Sequence, residues 1–179
     1  MILKRFIFTF ILLTAFYLLP SKSVQASCET PIAGISLLMT SVEENPINLY
    51  IAYYSATYDL DSVLVQAVIG HESDGRADAI NYNDNGTHDR GLMQINSCNF
   101  EWLRDELGIT DFYDPRQNIQ CGCYILGLLS KKYENVHRIL MSYNMGEGRT
   151  RELWSQGIYS SRYSREVVER YRKIKGGFL

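Results

Sequence analysis

"SVLVQAVIGHES", residues 62–73, carries six apolar side chains in its first eight positions. At helical spacing Val63, Leu64, Val65, Ala67, Val68 and Ile69 leave almost no polar face. A helix that is apolar nearly all round belongs in the middle of a domain. Asp61 is placed to cap its start. The run ends on Glu72, followed by small polar residues. Two readings of Glu72 are open: it marks where the helix meets water, or its burial has a purpose. Desolvation disfavours a charged carboxylate and raises its pKa, which suits a proton donor at neutral pH.

Working outward, the remaining segments read as helices. In "PINLYIAYYSATYDL" (46–60), Pro46 sits in a first turn, and Leu49, Ala52, Tyr53 and Ala56 recur at helical spacing. Residues 74–90 are rich in Asp, Asn and Gly and read as a loop. "NFEWLRDELG" (99–108) is a short amphipathic helix stopped by Gly108. Asp114-Pro115 opens another helix, "RQNIQCGCYILGLLSKKY" (116–133). "VHRILMSYN" (136–144) follows and ends at Gly146 and Gly148, and "SREVVERYRKI" (164–174) is the last. No stretch holds a period of two, so any sheet is minor. The expected fold is mainly α, a single compact helical domain with minor or no β.

The chain has 179 residues, 46% hydrophobic and 21% charged, with no internal repeat. That is about one domain with enough apolar material for a core. Lys4 and Arg5 precede the apolar stretch 6–19, then Pro20 and "VQA" at 24–26. This is the layout of a signal peptide, and the apolar part is short for a membrane span. Cleavage is expected after Ala26, giving a signal peptide 1–26 and a mature domain 27–179 that is exported to the periplasm or the cell exterior. An uncleaved anchor is the alternative; lipid anchoring at Cys28 is disfavoured by Gln25. Cleavage removes Lys4, Arg5 and Lys22 and no acid, moving the net charge from −2 to −5. An acidic domain argues against nucleic acid as partner. The basic tail around Arg162, Arg165, Arg170 and Arg172 is interrupted by Glu166 and Glu169 and reads as a solvated helix face.

Cys28, Cys98, Cys121 and Cys123 are even in number in a chain read as exported, so disulfides are expected. On a helix Cys121 and Cys123 point to nearly opposite sides and do not pair with each other. Cys98 then pairs with one of them and Cys28 with the other; free buried thiols are the alternative. A metal cluster fits C-x-C spacing poorly. "HESDG" lacks the second His of a zinc-protease helix. "NYNDNGTHDRGL" (81–92) places Asn81, Asn83, Asn85, Gly86 and Asp89 where a calcium loop has its ligands, but ends on Leu92 where a Glu is required. No metal or cofactor is expected.

Three stretches carry the chemistry: "HES" (71–73), "RGLMQIN" (90–96) and "MSYNMGEGR" (141–149). In this order and spacing they resemble the lytic transglycosylases of the soluble type, whose domain is similar to goose-type lysozyme. The connecting text "DPRQNIQCGCYILGLLSKKY" and the closing "SRYSREVVERY" resemble that family too, so the likeness covers roughly residues 45–172. The "GLMQIN" variant is closer to the small forms that accompany secretion, conjugation or mobile elements. The resemblance implies that Glu72 is the catalytic acid and base, with Ser73 ordering the turn behind it. Met93 and Gln94 would line the sugar groove, Gln94 bonding the glycan. Tyr143 would orient the carboxyl, Asn144 would bind an acetamido or hydroxyl group, and Tyr163 would reach back toward the site. Ser142 stands where the family usually has Ala.

The implied reaction cleaves the β-1,4 bond between N-acetylmuramic acid and N-acetylglucosamine in peptidoglycan, closing a 1,6-anhydro ring. The implied partners are glycan strands and a secretion or conjugation apparatus, with the enzyme itself a monomer. Glycoside hydrolysis normally takes two carboxyl groups; an intramolecular hydroxyl nucleophile removes the need for the second. Asp74, Asp78, Asp84 and Asp89 lie in the region from which goose-type lysozymes draw further acids. They read here as turn-forming residues, with a hydrolase as the alternative. A non-catalytic wall-binding module is a second alternative, against which the presence of Glu72 speaks. Tyr50, Tyr53, Tyr54 and Tyr58 read as core or groove wall rather than a stacking platform, and Trp102 and Trp154 fit groove or core equally.

Overall fold

α2 (Ser62–Glu72) is the helix the rest is built around. Asp61 caps it, its carboxylate accepting the Val63 N–H at 2.9 Å. Val65, Ala67 and Val68 are fully buried. The computed structural model describes residues 46–177, part of one compact unit, Glu43–Leu179. The expected signal segment, its cleavage site and Cys28 lie outside the described residues.

The described residues form five further helices: α1 (Pro46–Thr57), α3 (Phe100–Leu107), α4 (Pro115–Lys132), α5 (Val136–Ser155) and α6 (Arg162–Gly176). α6 packs along α2, α1 contacts both α2 and α4, and α5 lies between α4 and α6. The local signals explain the boundaries. Asp114 accepts the Gln117 N–H at 2.8 Å with Pro115 in the first turn. Gly108 closes α3 in the left-handed region at φ 69°. Ser161 and Ser164 form a reciprocal capping box at the start of α6.

Two expectations are corrected. Residues 74–90 are not all loop: β1 (Ile80–Tyr82) and β2 (His88–Arg90) form a hairpin, and β3 (Ile95–Asn96) adds to β2, all antiparallel. The strands are only two or three residues long, too short for alternation to mark them. α5 does not end at Gly146. That residue is a kink, φ 79° and ψ 155°, after which the helix resumes to Ser155.

The disulfide expected between Cys98 and a helix cysteine is not formed: Cys98, Cys121 and Cys123 are all free. Cys98 is exposed, whereas Cys121 and Cys123 are both buried. Burial pushes both thiols up to about 12, so they behave as small apolar side chains.

One buried polar residue fastens the "RGLMQ" turn to α4. Asn118 is fully buried. Its amide donates to Arg90 O at 2.8 Å and to Phe112 O at 2.7 Å. Its oxygen accepts the Met93 N–H at 2.8 Å. Gly91, at φ +74°, lies beneath this amide; a Cβ there would come within 2.4 Å of Asn118 Nδ2. Gly122 admits Met93 in the same way, since a Cβ would meet the Met93 sulfur at 2.2 Å. Asn118→Ala strands two carbonyls and one N–H away from water, and is expected to cost about 3 kcal/mol. Urea unfolding measures it; a loss below about 1 kcal/mol contradicts this role.

Candidate active site

Glu72 is the last residue of α2 and is partly buried, facing a groove of about 1040 Å³. Tyr163, from the first turn of α6, donates its hydroxyl to Glu72 Oε1 at 2.6 Å. The ring of His71 meets the Tyr163 ring edge-on, centroids 4.9 Å apart, and so backs it. Burial pushes the Glu72 carboxyl up to about 7; the Tyr163 hydrogen bond pulls it down and the charge of Asp89 pushes it up. Near neutrality this group exists in both states, as a residue that gives and retakes a proton requires. Tyr163 itself is raised, by burial first and then by the Glu72 charge, so it stays a donor.

The turn beside Glu72 is built from buried residues. Ser73 is 3% exposed, and its hydroxyl donates to Leu92 O at 2.8 Å and to Ile69 O at 3.3 Å. It joins the end of α2 to the "GLMQ" turn. Met93 is fully buried. The structure therefore places Met93 behind the groove surface rather than on it, where it was expected, and Ser73 in the turn it was expected to order; each supports the wall from behind. Tyr143 lines the groove, but its hydroxyl donates to Met93 O at 2.8 Å. It braces the turn rather than touching the Glu72 carboxyl, a position Tyr163 fills. Gln94 and Asn144 both line the groove. Gln94 is held at a positive φ of 47°, and its side-chain amide donates to Gly91 O at 2.9 Å. Backbone strain of this kind collects at functional sites.

The sheet forms the polar wall. Asp89 accepts amide hydrogens from Asn96 at 2.6 Å, Asn83 at 3.0 Å and Asn81 at 3.3 Å. Within residues 81–92, set aside above as a calcium loop, the Asn81 and Asn83 amides of the hairpin thus bind its own Asp89 carboxylate. Opposite in character are Trp102 on α3 and Ile125, Leu128 and Leu129 on α4, which also line the groove. Trp102 and Leu128 are 40% and 41% exposed. Reading the sequence left Trp102 undecided between groove and core and missed the asparagines and α4. Polar residues in an apparent loop and apolar residues on a helix carry no mark of the groove they face. Tyr54 is buried, with its hydroxyl on Gln120 Oε1 at 3.2 Å; Tyr53 is exposed, and none of the four α1-region tyrosines lines the groove.

Residues 49–161 match the family described as Transglycosylase SLT domain. The chain belongs to that family. It is 32% identical over 122 residues to invasion protein IagB of Salmonella typhimurium, covering 66% of this chain and 72% of that one. It is 35% identical over 92 residues to the transglycosylase of Enterobacteria phage PRD1, covering 51% and 32% of the two chains. An inactive mutant of the lytic transglycosylase Slt from Pseudomonas aeruginosa superposes with a TM-score of 0.58 at 22% identity, over 73% of this chain and 24% of that one. The chain spans about a quarter of that structure's length, and the likeness shows the shared lysozyme-like helical fold. Family membership makes this chain a lytic transglycosylase, an enzyme acting on peptidoglycan.

The raised carboxyl has a consequence for stability. Between about pH 4.5 and 7 the folded chain keeps the Glu72 proton while the unfolded chain has lost it. Stability linked to this group is complete below pH 4.5 and is lost as the pH rises through about 7. Glu72→Gln removes the penalty. Thermal unfolding is expected to show the variant more stable than wild type at pH 8, by up to about 3 kcal/mol, and nearly equal at pH 4. A variant less stable at pH 8 contradicts the burial argument.

Proposed function

We propose that Glu72 serves as both acid and base in a non-hydrolytic cleavage of the β-1,4 bond between N-acetylmuramic acid and N-acetylglucosamine. The observation that carries this reading is a carboxyl near pKa 7, held by Tyr163 at the floor of a long groove. Protonated Glu72 gives its proton to the glycosidic oxygen as the bond to muramoyl C1 breaks. The resulting carboxylate takes the proton of the muramoyl C6 hydroxyl, whose oxygen attacks C1 and closes the 1,6-anhydro ring. Glu72 ends protonated, no water is consumed, and the nucleophile arrives already attached. Gln94 and Asn144 bind the glycan, and Tyr143, Ser73 and Met93 hold the wall that positions it.

One observation bears on a hydrolytic reading. Asp89 lines the same groove, and its charge is felt at Glu72. Its two oxygens already accept three amide hydrogens, which favours a wall-building role over activation of water.

The charged start and apolar stretch 6–19 support export, with the domain working on the wall outside the cytoplasmic membrane. Relatives named as an invasion protein and as a phage transglycosylase support local action beside an apparatus that must pass through that wall. The acidic charge supports glycan rather than nucleic acid as the partner.

Purified sacculi digested with the protein and analysed by mass spectrometry test the reaction. Wild type is expected to release muropeptides ending in 1,6-anhydro-muramic acid. Glu72→Gln is expected to lose at least about 1000-fold in rate, about 4 kcal/mol of barrier. Asp89→Asn is expected to keep the anhydro product. Reducing-end sugars from wild type, with Asp89→Asn inactive, make the enzyme a hydrolase. Binding without products makes it a wall-binding module.

A further inference from the structure

The two residues before Glu72 also meet α6, and neither lines the groove. Gly70 lies under the Arg170 side chain, where a Cβ would come within 2.9 Å of the guanidinium. His71 stands against two groups from the start of α6. Its ring meets Tyr163 edge-on, with 4.9 Å between centroids. Its Nε2 faces Glu166 Oε2 at 3.8 Å, and Arg162 donates to the other oxygen of that carboxylate at 2.7 Å. At 3.8 Å a neutral imidazole makes no hydrogen bond, so the ring contact is the one that holds. The histidine lines a separate cavity of about 640 Å³ with charged residues of α6.

Tyr163 requires a support of this kind. Its hydroxyl reaches from α6 to a carboxyl on α2, and a tyrosine side chain swings about two torsions. A ring packed edge-on against its ring restricts that swing and leaves the hydroxyl free to donate. A cation at position 71 would work against the site, because it would favour the ionised form of Glu72. Burial holds the imidazole below its ordinary 6.5, with Glu166 pulling it up and Arg170 and Arg162 pulling it down. The ring beside Tyr163 is therefore mainly neutral at pH 7. Lys173 and Glu169, which line the same cavity, are paired with each other.

We propose that His71 is a positioning residue, its ring fixing the Tyr163 ring and so keeping that hydroxyl on the Glu72 carboxyl. Without it the hydrogen bond to the charged form is lost, and Glu72 holds its proton more tightly. His71 does not line the groove, so it acts on kcat and on the pH profile rather than on glycan binding. The inference rests on the reading of Glu72 as acid and base.

Carbon-13 titration of the Glu72 carboxyl in the intact protein tests this, beside kcat and KM on soluble glycan strands. His71→Ala is expected to raise the midpoint by about one pH unit, the effect of one hydrogen bond to a charged group. The alkaline limb of kcat/KM is expected to move with it, kcat to fall about tenfold and KM to stay within about twofold. His71→Phe, which keeps a ring against Tyr163, is expected to restore the wild-type midpoint. Tyr163→Phe is expected to raise the midpoint equally, and adding His71→Ala to it to raise it no further. If His71→Ala does not fold, His71→Gln takes its place, retaining bulk without a ring. An unmoved midpoint overturns the proposal whatever happens to kcat, as does a Phe variant that behaves like Ala. A full additional shift in the Tyr163→Phe background overturns it too, since His71 would then act without the tyrosine. A wild-type midpoint near 4.5 instead removes Glu72 as the acid, and this inference falls with it.

Discussion

The hydroxyl of Tyr163 meets the carboxyl of Glu72 across 91 residues of chain, and this contact joins the fold to the chemistry. Burial alone would drive the carboxyl toward permanent protonation, good for giving a proton and poor for taking one back. A hydrogen bond to the charged form opposes that. The two effects leave Glu72 near pKa 7. The contact also depends on the packing of α6 against α2, the two helices that place the groups. His71 backs the tyrosine ring from the other side. The helix pair at the centre of the domain is thus also the device that sets proton affinity.

A second constraint is the turn that carries Gln94. Gly91 at positive φ, the Asn118 amide packed against it and Met93 seated over Gly122 form a rigid floor. Ser73 ties that floor to the end of α2, and Tyr143 ties it to α5. Several residues of the three motifs therefore contact one another rather than the groove. Placing a site by means of residues locked by their own packing is what precise catalytic geometry requires. The groove joins an amide-rich sheet wall to an apolar face of α4, and a pyranose has polar edges and apolar faces to match.

Much of this was legible in the chain because the signals were local. Asp61, Asp114 and Gly108 mark helix ends through bonds made within a few residues. Val65, Ala67 and Val68 announced the central helix, which ends on Glu72. The parts that were not legible depend on distant partners. The hairpin is hidden because Asn81, Asn83 and Asn96 are bonded to Asp89 rather than to an apolar layer. Met93 is read as a groove residue until Gly122, on α4, makes room for it. The expected Cys98 pairing fails because its candidate partners lie inside α4's packed face while Cys98 stays exposed. The destination of the Tyr143 hydroxyl follows from the path of the turn, which no spacing encodes.

The proposed chemistry depends on the protonation of one side chain. A carbon-13 NMR titration of the Glu72 carboxyl in the intact protein, assigned through the Glu72→Gln variant, measures it directly. The predicted midpoint is about 7, coinciding with the alkaline limb of kcat/KM. A midpoint at the ordinary carboxyl value of 4.5 would contradict it, leaving the group ionised at neutral pH and unable to begin the reaction as an acid.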